Sequence, residues 1–434
     1  MNNSKYYIVI NPEVYISENI KSVFLYNTKT GEYLKSKDLE VVKIVKEINI
    51  LENLYCCELE KDQIIKNKKI DKFIEELKIK RIGYLIPKKK NTKRPIVLRP
   101  VLGLKKRKDG KRFQFDNNYI MNYLLNLTIQ INNRCNLDCN ICNKAFKQFT
   151  CCFTYEEYTD LSITFIKKIV EEVKYSSLNG IKILGGDIFI HSQFNDICDL
   201  LKNINREIIF YTNYLNVSEI KCEMIKKIKR HLIILLVNPE FDGNGLNSVL
   251  KYLKKNSLNF SLQFITNSEE SLENVNKFID NSSVSNNSIS PFLTEENNDF
   301  FRKNVFIDKK KIFLTKHKMN EIYSKKVKNQ FIFGNIYINS NGEIYSNRFE
   351  NSFGNIKNFS IREAVYNEIN FGGMWTLTRD KVKPCKDCLY ELLCPSISSY
   401  EMIMMEGNNL NITACSDFDK NSIKRTERSN EKFI

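Results

Sequence analysis

Short apolar runs alternate with amphipathic segments through the middle of the chain. Six runs have the length of a buried strand, and they lie at residues 126–131, 181–184, 207–211, 232–237, 260–265 and 288–292. Segments with apolar residues at helical spacing separate them, for example at residues 161–173 and 194–204. This alternation favours parallel βα units with right-handed crossovers. In such folds the ligand site lies at the carboxyl ends of the strands.

Three cysteines follow the first of these strands with the spacing C-x3-C-x2-C. They are Cys135, Cys139 and Cys142, in a polar loop. Three thiolates supply all but one iron of a four-iron cluster, whereas a cluster that only stores electrons normally takes four cysteines. A catalytic metal keeps one coordination position open, so this spacing predicts a reaction. The alternatives are a structural zinc site or three unrelated thiols.

The cysteine loop resembles the signature of the radical SAM superfamily. The resemblance implies that Cys135, Cys139 and Cys142 hold a [4Fe-4S] cluster whose fourth iron is chelated by S-adenosylmethionine. It also implies that an electron from the cluster cleaves the cofactor to a 5'-deoxyadenosyl radical, which abstracts hydrogen from a substrate C–H bond. Ile141 would pack against the adenine.

A second match lies at the end of the next strand, in Gly185, Gly186 and Asp187. The family motif there is Gly-Gly-Glu, where the backbone approaches the methionine end of the cofactor and a carboxylate pairs with its ammonium. Asp187 is one methylene shorter, so either its carboxylate or a backbone carbonyl would make the contact. Without the cysteines, Gly-Gly-Asp would be interpreted as a plain turn.

Polar residues at later strand ends are further candidate cofactor contacts. By the resemblance, Thr212, Asn213, Asn238 and Ser290 stand where the family contacts the ribose, the carboxylate or the adenine. Asn and Thr after a strand are also typical turn and cap residues.

A second cysteine group lies near the C-terminus. It comprises Cys385, Cys388 and Cys394, in the spacing C-x2-C-x5-C, and the more distant Cys415. It resembles the SPASM domain, in which two auxiliary [4Fe-4S] clusters are bound. A further cysteine expected for the other cluster is replaced by Ser398, and the upstream ligands of that cluster are missing too. We therefore expect one auxiliary [4Fe-4S] cluster on the four cysteines, for electron transfer or structural support. A zinc ion on the same thiolates is the alternative.

These features predict an α/β fold built on a partial (β/α)6 TIM barrel. A small N-terminal α+β module and a C-terminal iron-sulfur domain of SPASM or twitch type complete the chain. The predicted boundaries are an N-terminal module at 1–86, a basic linker or hairpin at 87–122, the radical SAM barrel at 123–325 and the auxiliary domain at 326–434.

The N-terminal module has strand-like runs at residues 6–10, 23–26 and 54–59 and helical segments at 39–48 and 70–79. This mixture resembles the winged-helix elements with which peptide-modifying enzymes bind a leader peptide as an added strand. An extension that only packs on the rest of the chain fits the pattern equally well.

Charge adds one further candidate partner. The chain has 67 Lys and Arg against 51 Asp and Glu, a formal net charge of +16. Twelve of these cations lie between Lys88 and Arg112, with Asp109 the one acidic residue among them. Such a run is typically a solvated linker, and it could attract an acidic peptide or a nucleic acid. Nucleic acid is disfavoured because aromatic residues are not interleaved with the basic run.

The cysteine content indicates a reducing compartment. Thirteen cysteines in 434 residues are too few for a disulfide scaffold. The N-terminus has no secretory pattern and no apolar run reaches the length of a membrane span, so we expect a cytoplasmic protein of an anaerobic or microaerobic cell. Among the unassigned cysteines, Cys151 and Cys152 follow the cluster loop closely and are candidates for oxidation.

The residues 291–300 and 394–401 look like those of radical SAM/SPASM peptide maturases from Bacteroidales-type gene clusters. The likeness implies hydrogen abstraction from a ribosomally made precursor peptide, followed by thioether or carbon-carbon cross-linking or by epimerisation. It also implies an electron donor such as flavodoxin or ferredoxin and a sister or partner maturase protein. The alternatives are a radical SAM enzyme acting on RNA, a small metabolite or a protein such as a sulfatase, or a catalytically silent binding partner.

No general base is evident in the sequence. His191 follows the glycine turn and is a candidate for proton handling, although a lone histidine at a helix start is commonly a cap or packing residue. Trp375 either lines a substrate path or anchors the auxiliary domain.

Overall fold

The computed structural model describes residues 4–89, 91–98, 117–137, 139, 141–154, 157–282, 284–305, 312–347, 351–403, 405–407 and 409–410. Cys415 and the part of the basic segment from residue 99 to residue 112 lie outside the described residues.

The N-terminal module contains two small antiparallel sheets and three helices. Its strands are β1 (Lys5–Ile10), β2 (Val14–Glu18), β3 (Val23–Asn27), β4 (Tyr33–Ser36), β5 (Cys56–Glu60) and β6 (Gly83–Lys88), and its helices are α1 (Leu39–Asn49), α2 (Lys61–Lys66) and α3 (Lys68–Ile79). The strand orders are β5-β1-β6 and β2-β3-β4. Asp38 and Asn67 cap α1 and α3 by accepting hydrogen bonds from backbone amides of the first turn. The apolar faces of α1 and α3 share one core with β1.

The structure extends the N-terminal module beyond its predicted residues. Strand β6 runs to Lys88, and Val97 packs in the core of the module. The first part of the basic segment therefore belongs to the module. Strands β2, β4 and β6 were not predicted; β4 buries only Leu34 fully, and β6 contains Pro87, which suits its place at a sheet edge.

The six apolar runs form six parallel strands that are neighbours in chain order. They are β7 (Asn126–Gln130), β8 (Gly180–Leu184), β9 (Glu207–Asn213), β10 (His231–Val237), β11 (Phe260–Thr266) and β12 (Asn287–Pro291). The helices of this region are α4 (Cys142–Gln148), α5 (Ile163–Val173), α6 (Phe194–Leu201), α7 (Glu219–Lys226), α8 (Gly243–Lys255), α9 (Glu269–Asn281) and α10 (Asn298–Asn304). The predicted α/β character with a large parallel sheet is confirmed.

The two faces of the parallel strands pack in different clusters. Ile183 and Phe210 lie on one face, in the main core with the helices. Leu184, Tyr211 and Leu236 lie on the other face, in a smaller cluster, because successive residues of a strand point to opposite sides. We call this second side the inner face.

The sheet continues into the C-terminal region. Strand β13 (Asn335–Ile338) pairs in parallel with β7, and β14 (Glu343–Tyr345) and β15 (Gly354–Asn355) follow as antiparallel neighbours. The remaining elements are α11 (Met319–Val327), α12 (Ile361–Asn367), α13 (Ser399–Ile403), β16 (Met405–Glu406) and β17 (Asn409–Leu410). Helix α11 spans the predicted boundary between residues 325 and 326.

The second N-terminal sheet packs directly on the C-terminal cysteine loop. Phe24 and Tyr26 of β3 share a buried cluster with Leu392 and Leu393. The ring of Phe24 meets the ring of Tyr390 edge-on at a centroid distance of 5.1 Å. The N-terminal module and the C-terminal cysteine loop therefore share one apolar contact, which the sequence pattern did not predict.

Across the described ranges, the helices are all too short or too polar to cross a bilayer.

Candidate functional site

The three motif cysteines lie in the segment that joins β7 to α4. Cys135 and Cys139 belong to the connecting loop, and Cys142 is the first residue of α4. The Cys142 amide donates a hydrogen bond to the carbonyl of Cys139 at 2.9 Å, and the Leu137 amide donates to Sγ of Cys135 at 3.4 Å. All three side chains are half-buried at the carboxyl end of β7.

The thiols are close enough that a negative charge on one raises the pKa of another. Burial raises the pKa of the Cys142 thiol, and a charge on Cys135 would raise it further. Burial likewise raises the pKa of Cys152, and charges on Cys135, Cys139 and Cys142 act in the same direction. A bound cation favours the thiolate forms instead, as metal ligation requires. Within the described part of the chain, no three His, Cys, Asp or Glu side chains form a preassembled metal site.

Side-chain amides from two neighbouring strand ends face these thiols. Asn216, in the turn after β9, donates through Nδ2 to Sγ of Cys135 at 3.4 Å. Asn238, directly after β10, donates through Nδ2 to Sγ of Cys139 at 3.5 Å. Asn213 donates in turn to Oδ1 of Asn238 at 3.3 Å. Hydrogen bonds to ligand sulfur atoms stabilise thiolates and tune cluster potentials.

Asn213 and Asn238 were predicted as cofactor contacts; the structure brings Asn238 to the cysteine loop and Asn213 to Asn238. Asn213 also caps the short turn after β9 by accepting a hydrogen bond from the Leu215 amide at 3.0 Å. Asn216 was missed, because an asparagine in a turn has no distinguishing sequence signal.

Gly185 and Gly186 pack against Asn132 and Arg134, which lie between the end of β7 and Cys135. A Cβ on Gly186 would lie 2.2 Å from the carbonyl oxygen of Arg134, and a Cβ on Gly185 would lie 2.6 Å from Oδ1 of Asn132. The Gly186 amide donates to Oδ1 of Asn132 at 3.1 Å. The close approach that requires these glycines is therefore made by the chain's own cysteine loop.

Asp187 is buried directly after the two glycines. Its Oδ1 accepts a hydrogen bond from the Phe189 amide at 2.9 Å, and its backbone carbonyl accepts one from Nδ2 of Asn132 at 2.8 Å. Burial raises the pKa of this carboxyl. The carboxylate caps the short helical turn Ile188–Ile190 and lies beside the cysteine loop.

An ion pair attaches the cysteine loop to the region after the glycine turn. The guanidinium of Arg134 lies 2.6 Å from Oδ2 of Asp160 and donates to the carbonyl of Ile190 at 3.3 Å. Ser192 donates through Oγ to the same Asp160 oxygen at 3.2 Å. Sequence reasoning missed this pair, since neither residue belongs to a motif.

The remaining predicted site residues have the following places. Ile141 packs beside the inner-face cluster at the start of α4. Thr212 is fully buried, and its hydroxyl donates to the Asn213 carbonyl at 3.3 Å. Ser290 accepts a hydrogen bond from Nε2 of Gln263 at 2.9 Å. His191 is buried between the Leu161 carbonyl at 3.2 Å and the Gln193 amide at 3.0 Å, and burial lowers its pKa.

Trp375 anchors the C-terminal region. It is fully buried, and its indole Nε1 donates to the Asn335 carbonyl of β13 at 3.0 Å. This position matches the anchoring role considered for it.

The described cysteines of the C-terminal motif are candidates for a second site. Cys385 is buried, and Cys388 and Cys394 are half-buried. The guanidinium of Arg379 donates to Sγ of Cys385 at 3.4 Å, and the Tyr390 amide donates to Sγ of Cys388 at 3.5 Å. Burial raises the pKa of Cys385, while Arg379 opposes this shift.

Comparisons with known proteins agree with this arrangement. Residues 129–301 match the profile of the Radical SAM superfamily, and this span contains the first cysteine motif and the glycine turn. The sequence has no match among curated proteins.

Three solved structures share the fold. Streptococcus suis SuiB bound to S-adenosylmethionine aligns with a TM-score of 0.52 and 11% identity, covering 94% of this chain and 100% of that chain. SuiB bound to the precursor peptide SuiA aligns with a TM-score of 0.50 and 13% identity over the same shares. Native anSMEcpe with bound AdoMet and Cp18Cys peptide aligns with a TM-score of 0.50 and 14% identity, covering 70% of this chain and 97% of that chain.

At these identities the likeness concerns the fold. The profile match and the placement of the three cysteines at the end of β7 agree on one conclusion. Over residues 129–301 the chain is similar to the radical SAM superfamily.

Proposed function

We propose that this protein is a radical SAM enzyme that modifies a ribosomally synthesised precursor peptide by C–H activation. The observation that carries the proposal is the grouping of Cys135, Cys139 and Cys142 beside the Gly185–Asp187 turn, with amides from the ends of β9 and β10 directed at two of the thiols.

The residues at the end of β7 fit a [4Fe-4S] cluster. Thiolates are the ligands that iron-sulfur clusters take, and three of them leave one iron for S-adenosylmethionine. When bound and reduced by an external donor, the cluster would supply the electron that cleaves S-adenosylmethionine to methionine and a 5'-deoxyadenosyl radical. Gly185, Gly186 and Asp187 would position the cofactor; Ile141, Thr212, Asn213, Asn238 and Ser290 stand as further proposed contacts.

The inner face protects the reacting groups. Tyr211, Leu236, Ile265 and Phe292 are buried there in one apolar cluster. Apolar surface next to a site excludes water and so suppresses side reactions of a radical.

The proposed substrate class rests on the relatives named above. SuiB was solved with a precursor peptide and anSMEcpe with a peptide. By analogy, we assign a peptide substrate to this chain, with a cross-link or an epimerised residue as the product.

The N-terminal module is the proposed site for a leader peptide. Strand β5 lies at a sheet edge, with β1 as its partner in the described sheet. A groove of about 1470 Å³ runs beside it, lined by Leu59 of β5, Ile44 of α1 and Ile70 of α3 among charged residues. A groove with an apolar floor suits an extended peptide, which would bind beside β5 beyond the point where Arg94 and the Val97 amide already donate to the carbonyls of Cys56 and Leu54.

The C-terminal cysteines are the proposed auxiliary site. Cys385, Cys388, Cys394 and Cys415 would hold a second [4Fe-4S] cluster that relays electrons. An external donor such as flavodoxin or ferredoxin and a sister maturase would complete the system.

Cofactor cleavage tests the first part of the proposal. The Cys139→Ala variant should keep peptide binding and lose 5'-deoxyadenosine production, with Cys222→Ala, a buried cysteine of α7, as the matched control. Production of 5'-deoxyadenosine at the wild-type rate by the Cys139 variant would contradict the cluster assignment.

Mass spectrometry tests the substrate. A precursor peptide encoded beside this protein should lose two hydrogens per cross-link, or keep its mass and take up deuterium from the solvent if it is epimerised. An unmodified peptide, together with cofactor cleavage, would reject the peptide substrate and retain the radical chemistry.

A further inference from the structure

A buried ion pair lies against the second cysteine site. The side chains of Arg379 and Glu401 are 6% and 1% exposed, and two parallel contacts join them at 2.9 and 3.0 Å. The same guanidinium donates to Sγ of Cys385 at 3.4 Å. One arginine therefore holds a carboxylate and a candidate metal ligand together.

Glu401 is fixed by the residue that replaces a cysteine. Ser398 stands where the SPASM pattern has a ligand of the other auxiliary cluster. Its backbone amide and its hydroxyl each donate to Oε2 of Glu401 at 2.9 Å, and the Glu401 amide donates back to Oγ of Ser398 at 3.4 Å. This is a capping box at the start of α13. Ser398 therefore anchors the carboxylate of the ion pair.

A contribution to the stability of the fold does not explain why Arg379 and Glu401 are buried as an ion pair. Burying two charges costs several kcal/mol per ion, and replacing a buried pair with apolar residues is often neutral or stabilising. Hydrogen bonds and fixed charges at ligand sulfur atoms, by contrast, directly change the reduction potential of an iron-sulfur cluster.

We propose that the Ser398–Glu401–Arg379 network sets the reduction potential of the auxiliary cluster through Cys385. Arg379 is the positioning residue, and its positive charge favours the reduced cluster, which carries one more electron. Glu401 opposes that effect and fixes the guanidinium against the sulfur. This inference rests on the proposed iron-sulfur cluster at the C-terminal cysteines.

The test uses the full chain with Cys135, Cys139 and Cys142 replaced by alanine, so that only the auxiliary cluster forms. After anaerobic reconstitution, the iron and sulfide content is measured, and a redox titration followed by electron paramagnetic resonance gives the midpoint potential of one-electron reduction. The variants are Arg379→Gln, Arg379→Lys and Glu401→Gln.

The network predicts shifts of opposite sign. Arg379→Gln should lower the reduced-to-oxidised ratio at a fixed potential roughly tenfold, which is about 59 mV for a one-electron couple. Glu401→Gln should raise the potential, and Arg379→Lys should recover part of the loss. Lys386→Gln removes an exposed positive charge beside the same cysteine and should change little, because solvent screens it.

The outcomes distinguish the auxiliary-cluster assignment from the role of the network in setting its potential. Zinc in place of iron would refute the auxiliary cluster and this inference with it. Wild-type iron content with unchanged potentials, or with shifts of the same sign in Arg379→Gln and Glu401→Gln, would refute the network's role while the cluster assignment stands. Loss of iron in both of these variants, with iron retained in Lys386→Gln, would assign the pair to cluster assembly and overturn the redox role.

Discussion

Replacing Gly186 with alanine should displace the loop that carries Cys135. The new Cβ would lie 2.2 Å from the Arg134 carbonyl oxygen and 2.5 Å from its carbonyl carbon, whereas ordinary contacts begin at 3.4 Å. The obstacle is backbone, so no side-chain rotation relieves it. The loop must move by about 1.2 Å, the difference between the first and last of these distances.

This displacement acts on Arg134, the residue next to the proposed cluster ligand Cys135. Overpacking of this kind costs about 1–3 kcal/mol in a packed interior. A misplacement of about 1 Å in a catalytic arrangement reduces rates about 100-fold. We therefore expect Gly186→Ala to remain folded, to bind less iron at the first site and to form 5'-deoxyadenosine about 100-fold more slowly.

The assay compares iron content, circular dichroism and 5'-deoxyadenosine formation with those of Gly243→Ala. Gly243 begins α8, and a Cβ there would lie 3.7 Å from Phe278, at ordinary contact distance. This control should match the unmodified protein in all three measurements. Wild-type iron content and activity in Gly186→Ala would refute the steric argument.

Four further substitutions test other contacts. Asn216→Ala and Asn238→Ala each remove an N–H···S hydrogen bond to a motif cysteine. Each variant should lower the reduction potential of the proposed first cluster in a redox titration. An unchanged potential would contradict this prediction. Phe24→Ala should lower the free energy of unfolding by about 3–5 kcal/mol and make the N-terminal module easier to digest with a protease. The control is Phe371→Ala, because the Phe371 side chain is 75% exposed. Equal digestion rates for the two variants would contradict the prediction. Burial holds the pKa of His191 below its usual 6.5, so the neutral side chain stabilises the fold above that pH and this contribution is lost as the pH falls. His191→Gln should therefore flatten the decline in unfolding temperature between about pH 7.5 and about pH 5.5. An unaltered slope would exclude this role.

The strands and the first cysteine motif were accessible from the sequence, because both depend on local patterns. Each apolar run of the central region forms a strand whose ends lie within two residues of the predicted ones. Cys135, Cys139 and Cys142 follow β7 as expected, and Gly185 follows β8. The periodicity of apolar residues and the spacing of cysteines can both be determined from a single sequence.

The contacts that organise the site were not accessible in the same way. Arg134 and Asp160 are 26 residues apart, and Asn216 reaches Cys135 across 81 residues. Arg379 and Glu401 are joined across 22 residues, and the capping sequence that contains Glu401 does not reveal its arginine partner. Such pairs depend on tertiary placement, so neither propensity nor spacing reveals them.

At the glycine turn the structure gives a physical reason for two small residues that differs from the one the sequence suggested. The sequence likeness attributes Gly185 and Gly186 to close approach by a cofactor, whereas the structure has Asn132 and the Arg134 backbone against them. Their small size therefore serves the cysteine loop first. A bound cofactor would meet a turn that the cysteine loop already constrains.

The C-terminal region contributes to the first site through β13. The hydroxyl of Tyr337 donates to Oε1 of Gln130 at 2.6 Å, and Nε2 of Gln130 donates to the Phe153 carbonyl at 3.0 Å. The Phe153 amide donates in turn to the Gly185 carbonyl at 2.9 Å. These bonds connect a strand of the C-terminal region to the glycine turn beside the first cysteine motif. Because each link is buried and a broken buried hydrogen bond leaves an unsatisfied polar group, a shift of β13 is transmitted to that turn. The C-terminal region is therefore part of the support of the first site as well as the scaffold of the second.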